Sequence, residues 1–542
     1  YGGVGGVSTL EVESVKDLEV ITGTFNAEYG NAMSGVVNAV TKDGSNDFHG
    51  SINTAHSTYI TNNSRSGEEI YIGLEPFGIN TNSDLRLNIS GPIIKDRLYF
   101  FSNFRTQGIN GHLNGLRRFE VWNLSNFYDQ DSSKWYSENT GDSSFVPMNK
   151  GDYSSLMGKV SLNLGNIKFS WMLNNNYSLS RGYNHIYKYN PDGRSYQDAS
   201  TSLSMFQFNH FLNEKMYYDI KYSITNNEYG SYVFEDYDSY TIVKESGTYQ
   251  GVYHLSGDTI YNYVNDKYMT ASGPGFFTGG QDKGHTNRIT ITKNFKTTLN
   301  WQATNAHSIK TGFSFINYDL QNTYYTVRNA YAGTDLESVQ YKPIVLPDST
   351  VYSDVYAVEP REMSLFIQDK FERDEIVINL GLRYDIFDAN TYYPSQRRNP
   401  TNASTYYLKN IGGTDSLDAD GNLVVDLTRR SQPVKAIAAT QLSPRFGFAY
   451  QLGNVAVLHF SYGHFFQMPP MYALYSNHSS IIGPSDYSTT VGNANLANDS
   501  LGLNAQKTVS YEVGLWQELG KNTSLEVNLY YRDIYDLLSL AT

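Results

Sequence analysis

The 542-residue chain has no cysteine, 11 histidines, and 54 acidic residues against 41 Lys and Arg. Any chemistry it performs must therefore use imidazole, carboxylate, hydroxyl or backbone groups. The most suggestive pair of metal ligands is His459 and His464. Five residues apart on a strand, they face opposite sides and cannot share an ion. Ser416, Asp418, Asp420 and Gly421 begin like a calcium loop, but Leu427 stands where the bidentate Glu belongs, so an ordinary Asp-Gly turn is expected. Gly2, Gly3, Gly5 and Gly6 lack a following Lys-Ser/Thr and a strand-to-helix unit, which excludes a phosphate cradle. No motif gathers a nucleophile, an acid and a base. The sequence predicts no enzyme, no cofactor and no metal site. The absence of Cys also removes disulfides, zinc knuckles and thiol nucleophiles. A net charge of -13 without a basic stripe excludes nucleic acid as a partner.

Binding is the chemistry that remains. The chain holds 46 tyrosines, and eleven crowd two irregular stretches: Tyr183, Tyr187, Tyr189 and Tyr196 in one, and Tyr232, Tyr237, Tyr240, Tyr249, Tyr253, Tyr261 and Tyr263 in the other. Rigid rings with an apolar body and a polar tip offer contact area at low entropic cost, which suits capture of peptides, sugars or protein partners. The same rings would serve to pack the loops together or to line a membrane interface. A second group is charged and sits on the polar side of alternating segments: Arg86, Arg383, Arg445, Arg532, Glu512 and Glu526. Inside a closed sheet, such residues would hold an internal domain by ion pairs or line its hydrated boundary.

The elements that position these residues show a period of two. In Ile376 to Phe387 the set Ile376, Ile378, Leu380, Leu382, Tyr384 and Ile386 is apolar, and Asn379, Gly381, Arg383 and Asp385 between them are polar or small. The split recurs in Tyr218 to Thr225, Arg445 to Tyr450 and Leu525 to Arg532. About fifteen such strands can be placed. Very short links, at Ile93 to Asp96, Gly165-Asn166, Asn213 to Lys215, Asn305-Ala306, Glu372 to Asp374, Gly453-Asn454 and Gly520 to Asn522, read as hairpin turns. Long irregular stretches alternate with them, near Tyr59 to Asn82, Gln107 to Ser154, Ser178 to Ser202, Asn227 to Thr286, Gln321 to Pro360, Ala389 to Gln441 and Gln467 to Gln506. The longest purely apolar runs are a handful of residues, such as Leu98 to Phe101, far short of the roughly 20 a spanning helix needs. Strict alternation of short and long links, with strands of about ten residues, is instead the pattern of a membrane β-barrel with tight periplasmic turns and long extracellular loops. The expected fold is an all-β, transmembrane, antiparallel up-and-down barrel in contact with outer-membrane lipid.

Ahead of the first strand stands SVKDLEVITGTFNAEYGNAMSGVVNAVTKDG, then FHGSIN. Glu19-Val20 with Gly23, Ala27 to Gly30, Ser34 to Asn38 and Val40 to Lys42 resemble, in order, the end of the plug domain of TonB-dependent outer-membrane receptors. NISGPIIKDRLYFF at Asn88 to Phe101, MSLFIQDKF at Met363 to Phe371, LSPRFGFAY at Leu442 to Tyr450, SYGHFFQMPP at Ser461 to Pro470 and YEVGLWQEL at Tyr511 to Leu519 extend the resemblance across essentially the whole chain, most closely to the Oar-like branch. It implies the C-terminal part of a plug over residues 1–47 and a barrel over 48–542. Such barrels have about 22 strands, so a part lacking its closing strands is expected, as is a coupling box upstream. It further implies import of a bulky or scarce solute (peptide, glycan or chelate), driven by a TonB-type energy-coupling protein. The alternative is a docking or secretion-associated subunit that binds a surface lipoprotein or another outer-membrane protein.

Overall fold

The computed structural model describes residues 10–22, 26–33, 35–60, 71–74, 82–270, 275–348, 350, 352–394, 409, 414, 416–426, 433–475, 505–520 and 522–537. Gly2, Gly3, Gly5, Gly6, Gly23, Ser34, Leu427 and the terminal 538–542 lie outside these residues. Strand β1 (Val15–Thr22) pairs antiparallel with β2 (Gly35–Thr41) as a separate ribbon. The remaining long strands form one sheet of 16: β3 (His49–Ser57), β4 (Asn82–Ile94), β5 (Leu98–Ile109), β6 (Gly151–Leu164), β7 (Ile167–Ser180), β8 (Tyr196–Asn213), β9 (Met216–Tyr232), β10 (Gly284–Gln302), β11 (His307–Thr326), β12 (Ser353–Val358), β13 (Arg361–Arg373), β14 (Ile376–Asp388), β15 (Ala439–Leu452), β16 (Ala456–Gln467), β17 (Gln506–Gly520) and β18 (Thr523–Tyr535). Neighbours in the sheet are neighbours in sequence, so the meander is up-and-down. Strands β12 and β13 share one lane beside β11, the first along Leu320 to Tyr325 and the second along His307 to Asn317. Pro360, with no N–H to give the ladder, stands at the break and accepts from the N–H of Tyr318 at 3.0 Å. Sixteen strands thus occupy fifteen lanes.

All seven expected turns are present. Gly165 takes a φ of +65° in the two-residue link of β6 to β7, a left-handed conformation that glycine adopts without steric cost. The link of β13 to β14 falls one residue later than expected, at Asp374-Glu375. The long strands outrun the expected ten residues: β8, β9, β10 and β11 have 18, 17, 19 and 20. Hydrophobic alternation marks only the stretch facing lipid, whereas the backbone ladder continues through polar sequence such as GHTNR at Gly284 to Arg288.

Burial is the reverse of a soluble protein's. On β14, Leu380, Leu382 and Tyr384 are 54%, 43% and 41% exposed, while Arg383 and Asp385 between them are 8% and 9%. One face meets lipid and the other the lumen. On the outer face Trp171, Phe206, Tyr222, Phe295 and Phe315 are successive cross-strand partners on five adjoining strands, an aromatic band. A short helix, α1 (Met471–Tyr475), turns inward after β16. Its Leu474 and Tyr475 are buried with Tyr318, Phe387 and Phe466 from the wall, and Tyr475 Oη donates to the Ala389 carbonyl at 2.8 Å.

Candidate functional site

Strand parity turns a set of charges inward, and the N-terminal segment meets them. Arg86 on β4 and Arg105 on β5 are direct cross-strand partners, an arrangement that repels unless an acid lies between. The Asp84 carboxylate does so, at 2.8 Å from each guanidinium. Each arginine then reaches the segment: Arg86 Nη1 to Glu13 at 2.7 Å and Arg105 Nη1 to Glu11 at 3.0 Å, with Tyr153 Oη donating to the other Glu11 oxygen at 2.8 Å. One strand further, Lys159 and its neighbour Lys168 close on Asp43 at 2.7 and 2.6 Å, and Ser161 donates to it at 2.8 Å. Burial alone would raise the Asp43 pKa, but hydrogen bonds from Lys159 and Lys168 outweigh it and hold the carboxyl at about 2.

The same segment crosses to the far wall. Glu28 pairs with Lys310 on β11. Arg383 on β14, its Nε on Asp385 at 2.8 Å, reaches the carbonyls of Ala27 and Glu28 at 3.3 and 3.4 Å. Asn31 donates to Glu362 at 3.4 Å and accepts from the N–H of Met468 at 3.2 Å. Gly30 is fixed by this approach, since an added Cβ would lie 2.3 Å from Arg383 Nε. Gly381 admits Ala27, whose Cβ would be 2.9 Å from a Cβ there. From β4 to β14 is nine lanes, about 43 Å in a flat sheet at ~4.8 Å each. One short segment touches both, so the sheet curls around it. Among the described residues no backbone-to-backbone hydrogen bond joins residues 10–47 to the wall.

Of the six charges singled out from sequence, Arg86 and Arg383 touch the segment directly. Arg445, stacked 3.6 Å over Phe465, and Glu512 line a cavity of about 270 Å³ against Asn26 and Ala27. On β18, Glu526 accepts from Asn528 at 3.0 Å and Arg532 lies 5.2 Å over Tyr530. Sequence reasoning missed Arg105, Lys159, Lys168, Lys310 and the acids Glu11, Glu13, Glu28 and Asp43. Parity marks the inward lysines, but nothing local names their partners, 116 to 282 residues away.

Nine of the eleven tyrosines occupy a folded loop assembly, whereas Tyr196 and Tyr232, expected in irregular stretches, are cross-strand partners at the ends of β8 and β9, where the backbone ladder runs on past the alternating sequence. Backbone bonds cross between loops: Leu116 N–H to Lys188 O at 2.8 Å, Phe277 N–H to Ile186 O at 2.7 Å, Gly280 N–H to Val121 O at 2.7 Å and Val327 N–H to Lys283 O at 2.9 Å. Tyr187 and Tyr189 meet Phe277 and Phe276 edge-on. Tyr183 Oη bonds His185 at 2.8 Å, and Tyr196 lies 3.6 Å under the Arg181 guanidinium. Tyr232 stacks on His285, Tyr237 meets Tyr325 edge-on, and Tyr261 meets Tyr240. Tyr263, 1% exposed, accepts from the Phe234 N–H at 3.3 Å. Lys283 pairs with Asp266 at 2.5 Å, and its burial pushes the ammonium pKa down. Tyr240, Tyr249 and Tyr253 remain exposed, as do Ile242, Val252 and Leu255. Among the described residues no three His, Asp or Glu side chains gather as a metal site. Asp418 accepts from the N–H groups of Asp420 and Asn422 at 2.9 and 2.8 Å, the Asp-Gly turn expected.

Residues 138–528 match the family model described as outer membrane beta barrel domain. The chain belongs to the outer-membrane β-barrel family. Within this family, over 99 residues it is 37% identical to the TonB-dependent transporter Oar of Myxococcus xanthus, an alignment covering 18% of this chain and 9% of Oar. Among solved structures this outer-membrane barrel resembles the copper transporter OprC (TM-score 0.55, 10% identity, 97% of this chain and 60% of that one), the outer membrane transporter YddB of Escherichia coli (0.53, 14%, 96% and 56%) and the FrpB iron transporter of Neisseria meningitidis (0.53, 13%, 97% and 61%). At these identities the likeness is one of fold, and the chain spans less than two thirds of each.

Proposed function

We propose that the chain is part of a TonB-dependent transporter that imports a bulky or scarce solute (a peptide, glycan or chelate), with residues 1–47 as the end of its plug and 48–542 as its wall. Long loops face the outside and short turns the periplasm. The observation that carries this reading is how the segment is fastened: it lies inside the curled sheet on side-chain ion pairs, without sharing the wall's backbone ladder. Contacts of that kind break one at a time, so a periplasm-spanning partner pulling from upstream can shift the segment without unfolding the wall. The wall performs no chemistry.

These 542 residues contain no Cys, so within them an introduced pair has no competing thiol. Ala27→Cys with Gly381→Cys places two thiols where the Cβ atoms nearly touch, so an oxidant joins them after a small shift. Uptake of labelled peptides, maltooligosaccharides and ferric chelates is measured in cells making the full-length protein, with and without the TonB-type partner. The expected result is partner-dependent uptake of one solute, abolished by the disulfide and restored by reductant. Uptake indifferent to the disulfide or to the partner overturns the reading.

The exposed apolar and aromatic residues Tyr240, Ile242, Val252, Tyr253 and Leu255 favour a second reading, a docking face for a surface lipoprotein or another outer-membrane protein. Tyr253→Ser, which removes only surface area, then abolishes co-purification of that partner and leaves uptake unchanged.

A further inference from the structure

A cavity of about 240 Å³ lies between the N-terminal segment, the wall and the residues leading into α1, lined by Tyr29, Asn31, Lys296, Glu362, Arg383 and Met468 among others. Most charges around it are matched. Arg383 is paired with Asp385, and Glu28 with Lys310. Two are not. Glu362 accepts only from neutral donors, Tyr318 Oη at 3.2 Å and Asn31 Nδ2 at 3.4 Å, and no Lys or Arg nitrogen of the described residues lies within ion-pair distance of it. Lys296 has no carboxylate within that distance among the described residues; the Tyr29 ring lies 6.0 Å from it, and Glu28 and Asp219 act on it only from further away. It also stands directly opposite another cation, Lys221, a pairing that costs free energy. Charges withdrawn from water and left unmatched are expensive unless a partner arrives.

The register fixes their separation. Lys296 faces Ser314 on β11, and Glu362 faces Ile316 on the same strand. They therefore stand two lanes apart and two residues out of step, about 12 Å at the backbone. The apolar part of the lining is Ile316, Phe366, Phe387, Phe466 and Met468.

We propose that this cavity holds a zwitterionic peptide of two or three residues, its carboxylate on Lys296, its ammonium on Glu362 and its apolar side chains against Phe366, Phe387 and Met468. Extended, such a peptide spans about 7–11 Å, comparable with the roughly 12 Å between the two backbone positions. The inference rests on the transport reading and narrows its solute class. A neutral sugar would leave both charges unmatched, and a ferric chelate of net negative charge would repel Glu362.

The test is calorimetry on the purified full-length protein in detergent, with leucyl-leucine, N-acetyl-leucyl-leucine, leucyl-leucinamide and maltose as probes. The shift of unheated barrel on a gel verifies that each variant is folded. Leucyl-leucine is expected to bind, with either blocked form weaker by about tenfold or more and maltose silent. Glu362→Gln should erase the distinction between free and acetylated peptide while keeping that between acid and amide; Lys296→Gln should do the converse. Blocked peptides binding as well as the free one, or both variants losing affinity without a change of preference, overturn the proposal. So does silence of leucyl-leucine, and the uptake panel then separates the two readings: partner-dependent uptake of another solute leaves transport standing, and its absence removes both.

Discussion

The N-terminal segment and the loop assembly both fill space framed by the same wall, but they are fastened differently. The segment is held by carboxylates meeting lysines and arginines, at Glu11, Glu13, Glu28 and Asp43. The loops are held by backbone bonds passing from one to the next and by tyrosines packed on phenylalanines. Backbone bonds and buried rings give way together or not at all, whereas partly buried ion pairs yield singly and can be remade. A part that must move and return calls for the first kind of fastening, and a part that must keep its shape calls for the second.

The largest effect that would sharpen this contrast comes from Asp43→Asn. It strands Lys159, whose side chain is 9% exposed, and should loosen the segment by roughly 3 kcal/mol, read as faster hydrogen exchange over residues 35–41 with no change at 116–121. Equal loosening of both stretches breaks the distinction. Next is the wall on which both regions depend. Leu380→Arg should cost roughly 2–4 kcal/mol on folding into liposomes and the lumen-facing Asn379→Arg much less, and equal costs would contradict the assignment of faces. Tyr263→Phe leaves the Phe234 N–H without its acceptor and should cost the loops about 1–2 kcal/mol, seen as proteolysis near 233–240 with the segment unaffected.

The smallest effects come from solvent. Because the Asp43 pKa is lowered from 3.8 to about 2, its contribution is complete above pH 4 and is lost as pH falls toward 2. Hydrogen exchange of the segment should therefore be flat from pH 5 to 8, after correction for intrinsic rates, and docking should fail only in strong acid. Raising salt from ~0.05 to ~0.5 M should loosen the segment slightly and the loops not at all.

Much of the wall was legible because lipid forces a simple rule on it. Leu380 and Arg383 could be assigned to opposite faces from parity alone, and Gly165-Asn166 announced its turn. The segment ahead of it was recognisable from Ala27 to Gly30 and the GVVN run. Parity names a face but not a partner, which is why Arg86 and Arg383 were chosen while Lys159 and Lys310, facing the same lumen, were not. The tyrosines are hard to read for a related reason. Ring-rich sequence reads alike whether the rings await a ligand or, as with Tyr187 and Tyr263, are already covered by a neighbouring loop. Helix α1 left no signal beyond a short apolar run, since five residues are too few for a period to show.

Strands as long as β11 carry one more consequence. Twenty residues rise about 66 Å along the strand, or roughly 50 Å vertically at a tilt of about 40°, against an apolar band of about 25 Å. On the side of the long loops the wall therefore stands up from the membrane like a chimney. Whatever settles on that rim need touch no lipid.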